Sequence, residues 1–338
     1  MLEQHPKYLL DLPVEVLDAI VQTVPTEDLL TLSPTSGLMN AVVTRWLYRR
    51  VTIRSLPKSV RCCKTLIANL AAAHAMREIA ILATVELHDA AFRSYFNLLL
   101  HALRATHHLE SLTMICLIPF YANLLNMCTF PRLRHAFFTA TSIPHILPFL
   151  RAHPHIQDLQ CITVEPDRDT AYLYMPSVTH FTGYSSLLKL VARSAPPIVD
   201  ATVMWNIEVE DHAEVERVFE ALGRCKTLTT LVSMSRGWDR MLVETMARHV
   251  PWVNTIFIHN LRTFIPTEDL LGSDAMEALA EFLSRFKNLM CLGLRCGKRA
   301  DHFQTDEEND HMHGREFDYY HSSATAIQRE ASTSQEHR

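Results

Sequence analysis

The residues best suited to covalent chemistry in this chain are two serine–lysine pairs. Ser55 with Lys58, and Ser186 with Lys189, have the Ser-x-x-Lys spacing in which a lysine can activate a serine nucleophile. The companion motifs Ser-Asp-Asn and Lys-Thr-Gly are absent, as are Gly-x-Ser-x-Gly, His-Glu-x-x-His and a phosphate-binding loop. Chance therefore explains both pairs better than catalysis does, and we predict no catalytic residue.

The cysteines and histidines do not form a recognisable site either. The 8 cysteines include an adjacent pair but no Cys-x-x-Cys, and most lie in apolar runs, as small buried hydrophobic residues do. Histidine pairs in a polar segment offer few ligands and no supporting shell, so we predict no metal and no cofactor. Four of the 19 histidines gather near the C-terminus: His302, His311, His313 and His321.

Composition narrows the class of protein further. The formal charge is only -5, which argues against a general nucleic-acid-binding surface, and the 8 glycines are too few to favour a dinucleotide-binding fold. The start "MLEQHPKYLL" lacks a secretory pattern, and the most apolar window, 112–128, is short and contains a proline. We therefore predict a protein of the cytoplasm or nucleus that binds no membrane.

The middle of the chain repeats an apolar-x-x-apolar-x-apolar template, which is its most informative property. The starts of successive copies lie 20 to 36 residues apart. Amphipathic helical stretches precede most copies, for example "AEVERVFEALGRC" and "RMLVETMARHV". The nine copies are "MREIAI", "LESLTM", "LRHAFF", "IQDLQC", "VTHFTG", "IVDATV", "LTTLVS", "VNTIFI" and "LMCLGL".

These segments resemble leucine-rich repeats, although the Asn or Cys that this family usually places after the strand is absent. Each short strand and helix cannot bury its apolar side alone, but stacked units share one continuous core. The resemblance implies a curved solenoid with parallel strands on the concave face and helices outside. An ordinary α/β domain with parallel strands shows a similar alternation and remains the alternative.

The N-terminal stretch "LPVEVLDAIVQTVPTEDLL" reads as two short helices separated by Pro25, with a third helix over "GLMNAVVTRWLY". Pro13 suits a helix start, and Thr26 is predicted to cap the second helix. Three helices in about 40 residues are too few to hide so broad an apolar surface among themselves. Either another protein or the rest of this chain must cover it.

This stretch resembles an F-box, the module that connects a substrate receptor to a Skp–cullin ubiquitin ligase. The likeness rests on Leu12-Pro13, Glu15, Ile20, Pro25 and the run Asp28-Leu29-Leu30, while Ser33-Pro34-Thr35-Ser36 departs from the family pattern. Family members insert such apolar residues into the adaptor. The resemblance assigns adaptor binding to Leu12, Pro13, Ile20, Leu29, Leu30 and Trp46.

Together these features predict an α/β protein with four parts. They are an N-terminal extension (1–11), a three-helix F-box-like module (12–50), a leucine-rich-repeat-like solenoid (51–299) and an acidic tail (300–338) that we expect to be disordered. The tail carries nine Asp and Glu against three Arg. A non-catalytic substrate receptor of a Skp–cullin–F-box ligase is the function implied.

Target binding is predicted on the exposed strand positions of the solenoid. Two other functions stay open: a repeat scaffold whose first helices only cap the solenoid, and a hydrolase or transferase in a non-repeat α/β fold. The partners expected of the first reading are the Skp-type adaptor, the cullin complex and an unidentified target protein. The candidate target-binding residues are Glu110, Thr113, Arg134, His135, Phe137, Asp158, Gln160, His180 and Thr182.

Overall fold

A computed structural model describes eight stretches of the chain. The predicted extension 1–11 and the tail 300–338 lie outside them, so the predictions made there, including the tail histidines, are not addressed. Contacts divide the chain after Gly297, and all the described residues belong to the unit that precedes this division. The described residues are 12–82, 89–115, 119–140, 142–163, 172–205, 212–235, 240–260 and 280–296.

Three helices open the described chain: α1 (Val14–Thr23), α2 (Thr26–Leu32) and α3 (Gly37–Leu47). The prediction that Thr26 caps α2 is wrong, because Pro25 is the cap residue and Thr26 is the first helical residue. The segment Ser33–Thr35 forms a 3₁₀ turn, and the Ser36 hydroxyl accepts a hydrogen bond from the Met39 N–H at 3.0 Å. The unusual Ser-Pro-Thr-Ser sequence therefore ends α2 and caps α3.

Ten strands follow and form one sheet in which every neighbouring pair is parallel. Their order in the sheet is their order in the chain, without reversal among the described strands. The strands are β1 (Arg50–Ile53), β2 (Glu78–Ile81), β3 (Ser111–Ile115), β4 (His135–Ala140), β5 (Asp158–Thr163), β6 (His180–Tyr184), β7 (Asp200–Met204), β8 (Thr230–Ser235), β9 (Thr255–Asn260) and β10 (Cys291–Cys296).

Helices connect most of these strands. The helical stretch after β1 is interrupted at Asn69, whose side chain accepts a hydrogen bond from the Ala72 N–H at 3.1 Å and so starts a second helix. Right-handed crossovers between sequential strands place the connecting helices on one face of the sheet. They are α4 (Leu56–Ala68), α5 (Leu70–Ala75), α6 (Asp89–Ala105), α7 (Pro119–Asn126), α8 (Ile143–Ala152), α9 (Ser185–Ala192), α10 (His212–Leu222) and α11 (Arg240–His249).

Alternation along the strands separates a buried face from an open face. In β3, Leu112 and Met114 are fully buried in the main core, whereas Ser111, Thr113 and Ile115 are half-buried on the other side. The same alternation recurs in β2 and β6. The helices therefore cover one face of the sheet, and we call the opposite face, which carries Ser111 and Thr113, the open face.

The α/β class and the parallel strands are confirmed. Each of the nine template segments contains a strand that begins two residues after the first apolar position, from Glu78 in "MREIAI" to Cys291 in "LMCLGL". Strand β1 was not predicted, although "YRRVTI" fits the same template if Tyr48 takes the first apolar position. The repeating part therefore begins at Tyr48, inside the segment that the sequence assigned to the N-terminal module.

Gly183 in β6 supplies a test of this packing. A Cβ atom there would lie 2.5 Å from the Cys161 carbonyl oxygen of β5 and 3.1 Å from the Phe181 ring, so backbone would have to move. We expect Gly183→Ala to lower the free energy of unfolding by about 1–3 kcal/mol, as overpacking does. Urea unfolding followed by circular dichroism measures this change.

Gly37 is the matched control, because a Cβ there meets nothing within 4 Å and no described glycine has a positive φ. Gly37→Ala should leave stability unchanged or raise it by about 0.4–1 kcal/mol. Equal effects of the two substitutions would contradict the close approach of β5 and β6.

Candidate interaction surfaces

The N-terminal helices have a hydrophobic core of their own, separate from the core beneath the sheet. We call residues 12–47 the N-terminal module. Half-buried side chains, among them Leu12 and Trp46, pack around this small core. The central residues of this small core are Leu17, Val21, Leu29, Met39, Val42 and Val43.

Large apolar side chains remain exposed on this module. Val16 is 42% exposed, Ile20 39% and Leu30 62%. At 3.6 residues per turn, Pro13, Val16 and Ile20 lie within about 60° of one another around α1. The module thus presents an apolar strip on α1 and an exposed leucine on α2, which we call the apolar docking face.

The six predicted adaptor-binding residues fall into two groups. Pro13, Ile20 and Leu30 are exposed. Leu29 is 4% exposed in the module core, and Leu12 and Trp46 are half-buried against it. Val16 is exposed as well and has helical spacing from Pro13 and Ile20, but it is not one of the six predicted residues.

Trp46 joins α3 to α1. Its indole N–H donates a hydrogen bond to Asp18 Oδ1 at 3.1 Å, and Arg45 forms an ion pair with the same carboxylate oxygen at 3.1 Å. The Arg49 guanidinium lies 5.0 Å from the centre of the Trp46 ring. Trp46 is therefore engaged within the chain and is half-buried, unlike the residues of the apolar docking face.

Most of the predicted target-binding residues lie in two rows across the open face. The register places Thr113, Phe137, Gln160 and Thr182 side by side in one row. The other row, which we call the first row because it holds the first residue of each strand, contains His135, Asp158 and His180. Glu110 and Arg134 lie one residue before their strands, at the edge where the strands begin.

Histidine and aspartate residues alternate in the first row from β4 to β7. His135 Nδ1 lies 3.7 Å from Asp158 Oδ2, and His180 Nε2 lies 3.1 Å from Asp200 Oδ2. Hydrogen bonding to Asp158 raises the pKa of His135 despite partial burial, and hydrogen bonding to Asp200 does the same for His180. These pairs make the centre of the open face polar, and the two charges of each pair compensate one another.

The sequence prediction missed Asp200 in this row. Burial raises the pKa of its carboxyl, but hydrogen bonds from His180 and Thr230 outweigh burial and leave the pKa lowered. Asp200 is the third residue of the template segment "IVDATV", the position held by Asp158 in "IQDLQC". Assigning target binding to the third position of every template segment would have included Asp200.

Two histidines hold the loop between α7 and β4. The buried His153 donates from Nδ1 to the Phe149 carbonyl at 2.7 Å and accepts from the Phe130 N–H at Nε2, at 2.8 Å. His155 donates from Nε2 to the Phe130 carbonyl at 3.2 Å. Both polar groups of the Phe130 backbone are thereby bonded to histidine rings, which fixes the start of the loop that carries Arg132.

Members of the two Ser-x-x-Lys pairs have structural roles. Ser55 is the cap residue of α4, and the Lys189 ammonium forms an ion pair with Glu214 Oε1 at 2.7 Å. In the described ranges no group of three or more His, Cys, Asp or Glu is placed to hold a metal ion. No described helix combines the length and the apolar composition needed to cross a membrane.

The bonding of His153 predicts a pH dependence of stability. Burial lowers its pKa below the ordinary 6.5, and protonation would remove the acceptor for the Phe130 N–H. Because the folded pKa is the lower one, the neutral ring contributes stability above about pH 6.5, and this contribution is lost as the pH falls towards the folded pKa. Urea unfolding at pH 7.5 and 5.5 should therefore show a fall in stability.

His153→Gln should cost about 1–3 kcal/mol at pH 7.5 by leaving buried backbone groups unbonded, and should reduce the difference between the two pH values. His107→Gln, which changes an exposed histidine, should keep the full pH difference. An unchanged pH difference in His153→Gln would exclude His153 as the titrating group.

No protein-family model matches the sequence, and no curated protein matches it either. Function is therefore argued from the residues and their geometry.

Proposed function

We propose that this chain is the substrate-recognition subunit of a Skp–cullin–F-box ubiquitin ligase. In this proposal the N-terminal module is a divergent F-box that binds a Skp-type adaptor. The sheet and its helices form a leucine-rich-repeat solenoid, whose open face is concave and binds a target protein.

The observation that carries the proposal is the exposure of apolar residues on a module that already has its own core. Val16, Ile20 and Leu30 contribute nothing to that core, yet each is large, apolar and at least 39% exposed. Large exposed apolar residues that recur on one helical unit are typical of a protein–protein interface. They coincide with the part of the sequence that resembles an F-box.

The sheet supports the second half of the proposal. In doubly wound α/β enzymes a reversal of strand order creates the crevice that binds the substrate. The ten described strands run in order without such a reversal, which is the arrangement expected of stacked repeats. From β3 to β6 the open face carries mostly polar side chains, and such a broad polar surface suits a protein target better than a small metabolite.

The mechanism is proximity. Tethering a target to the ligase raises its effective concentration near a ubiquitin-charged enzyme elsewhere in the complex, so the receptor needs no catalytic residue, cofactor or metal. The proposal places the chain in the cytoplasm or nucleus, where such ligases act. Its partners are the adaptor, the cullin complex and one or more target proteins.

The competing proposal is a repeat scaffold whose N-terminal helices only cap the solenoid. It draws on the burial of Leu29 and the partial burial of Leu12, two residues predicted to enter the adaptor. It does not account for Leu30 or Ile20, since a cap would bury its apolar residues against the repeats. We therefore prefer the receptor proposal.

Two leucines of equal exposure allow a sharp test. Leu30 in the module and Leu70 in α5 are both 62% exposed. We expect Leu30→Lys to weaken binding of a Skp-type adaptor by tenfold or more, about the effect of losing an interface hot spot, and Leu70→Lys to leave it unchanged. Pull-down followed by calorimetric titration with the full chain measures both.

Circular dichroism should show that both variants keep the native helix content and melting temperature. Failure of the folded native chain to bind the adaptor would exclude the receptor proposal and favour the scaffold. Equal weakening by both variants would show that binding does not use the apolar docking face.

A further inference from the structure

The edge of the sheet where the strands begin contains a second candidate surface, distinct from the apolar docking face. A cleft of about 480 Å³ opens there between the turns that lead into β4, β5 and β6. We call it the basic cleft. Its lining includes Glu110, Arg132, Arg134, His155, Gln157 and Ser177.

Positive charge in the basic cleft is not compensated within the described part of the chain. Arg132 and Arg134 are exposed, and neither forms an ion pair with a described carboxylate. The nearest lining carboxylate, Glu110, is already paired with Arg77 at 3.5 Å. Two guanidinium groups are therefore available to an incoming anion.

The charges affect a neighbouring histidine. Desolvation lowers the pKa of His108, and the charges of Arg132 and Arg77 lower it further. Arg132 and Arg77 both lie along this edge and both place positive charge near His108.

The backbone holds both arginines in place. Leu133 N–H donates to the Phe130 carbonyl at 3.1 Å, closing a turn with Pro131 and Arg132 at its corner, and the two histidine rings bond the Phe130 backbone. Arg134 N–H donates to the Glu110 carbonyl at 2.8 Å, while its own carbonyl accepts from Gln157 and Asp158. Prebuilt geometry of this kind reduces the entropic cost of binding.

The donors fit one class of ligand. Arginine presents a planar fork that bonds carboxylate and phosphate oxygens in pairs, and such charge-assisted bonds are about twice as strong as neutral ones. The Gln157 amide and the Ser177 hydroxyl add neutral donors to the same cleft. The adjoining open face could accept the peptide on either side of the bound group.

We infer that the basic cleft binds an anionic side chain of a target peptide, either a phosphorylated residue or an aspartate or glutamate. This inference rests on the proposed function, since that function is what makes the ligand a segment of a target protein. It extends that function by naming the chemical class of the target and two of the residues that select it, Arg132 and Arg134.

The experiment uses the full chain without any adaptor and three fluorescein-labelled nonapeptides of one sequence. Their two central residues are phosphoserine, glutamate or glutamine. Fluorescence anisotropy should show binding of the phosphoserine peptide, the glutamate peptide or both, and at least tenfold weaker binding of the glutamine peptide. Comparison of the two anionic peptides identifies phosphate or carboxylate as the preferred group.

Arg132→Gln/Arg134→Gln should weaken binding of the anionic peptide by about tenfold or more, because two charge-assisted contacts are lost. Arg193→Gln, which removes an exposed arginine after α9, should leave it unchanged. Both substitutions keep a polar, uncharged side chain, and melting temperatures equal to that of the native chain verify the fold.

Three outcomes would overturn the inference. They are no binding of either anionic peptide, equal binding of the glutamine peptide, or undiminished binding by the double variant. Displacement of the peptide by a random-sequence RNA that binds more tightly through the same arginines would reassign the cleft to nucleic acid. Peptide binding in a chain that fails to bind the adaptor would sustain this inference while excluding the proposed function.

Discussion

One backbone carbonyl in each repeat sets the geometry on which the rest of the structure depends. The residue just before a strand accepts hydrogen bonds from two consecutive N–H groups of the next repeat, as the Arg134 carbonyl does from Gln157 and Asp158. This pattern recurs nine times, from the Arg49 carbonyl to the Asn254 carbonyl. Because side chains alternate between faces, a slip of one residue would turn every core residue outwards. The shared carbonyl excludes that slip at the start of each strand.

The fixed register also determines the electrostatics of the open face. It places the first residue of each strand beside the first residue of the next, so that Arg50 meets Glu78 at 2.9 Å and His180 meets Asp200 at 3.1 Å. Neighbouring strands lie only about 4.8 Å apart, which makes opposite charges favourable partners and like charges costly ones. The first row is thus largely self-compensating. Uncompensated charge lies instead at the edge where the strands begin.

The sequence predicted the repeating strands closely, because their apolar positions are set by local burial. It missed strand β1, whose copy of the template has Tyr48 in place of an aliphatic residue. It also missed the break between α4 and α5, which depends on the Asn69 side chain capping α5. It also could not tell which of the residues predicted to bind the adaptor are exposed. Leu29 and Leu30 are adjacent leucines, but packing of α2 against α3 buries Leu29 and leaves Leu30 on the surface. Ion pairs such as that of Lys189 with Glu214 join distant parts of the chain and leave no local pattern.

The basic residues at the edge where the strands begin have two origins, and only one of these follows from the fold. The helices that lead directly into the next described strand end at this edge, and helix C-termini favour cations, which accounts for Arg104 and Arg151 in the last turns of α6 and α8. Helix α7 has no basic residue in its last turn, yet Arg132 and Arg134 follow it in a turn held by histidine rings. Neither helix capping nor ion pairing within the described chain requires these two arginines. An anionic ligand of the kind inferred for the basic cleft would supply a charge partner for both.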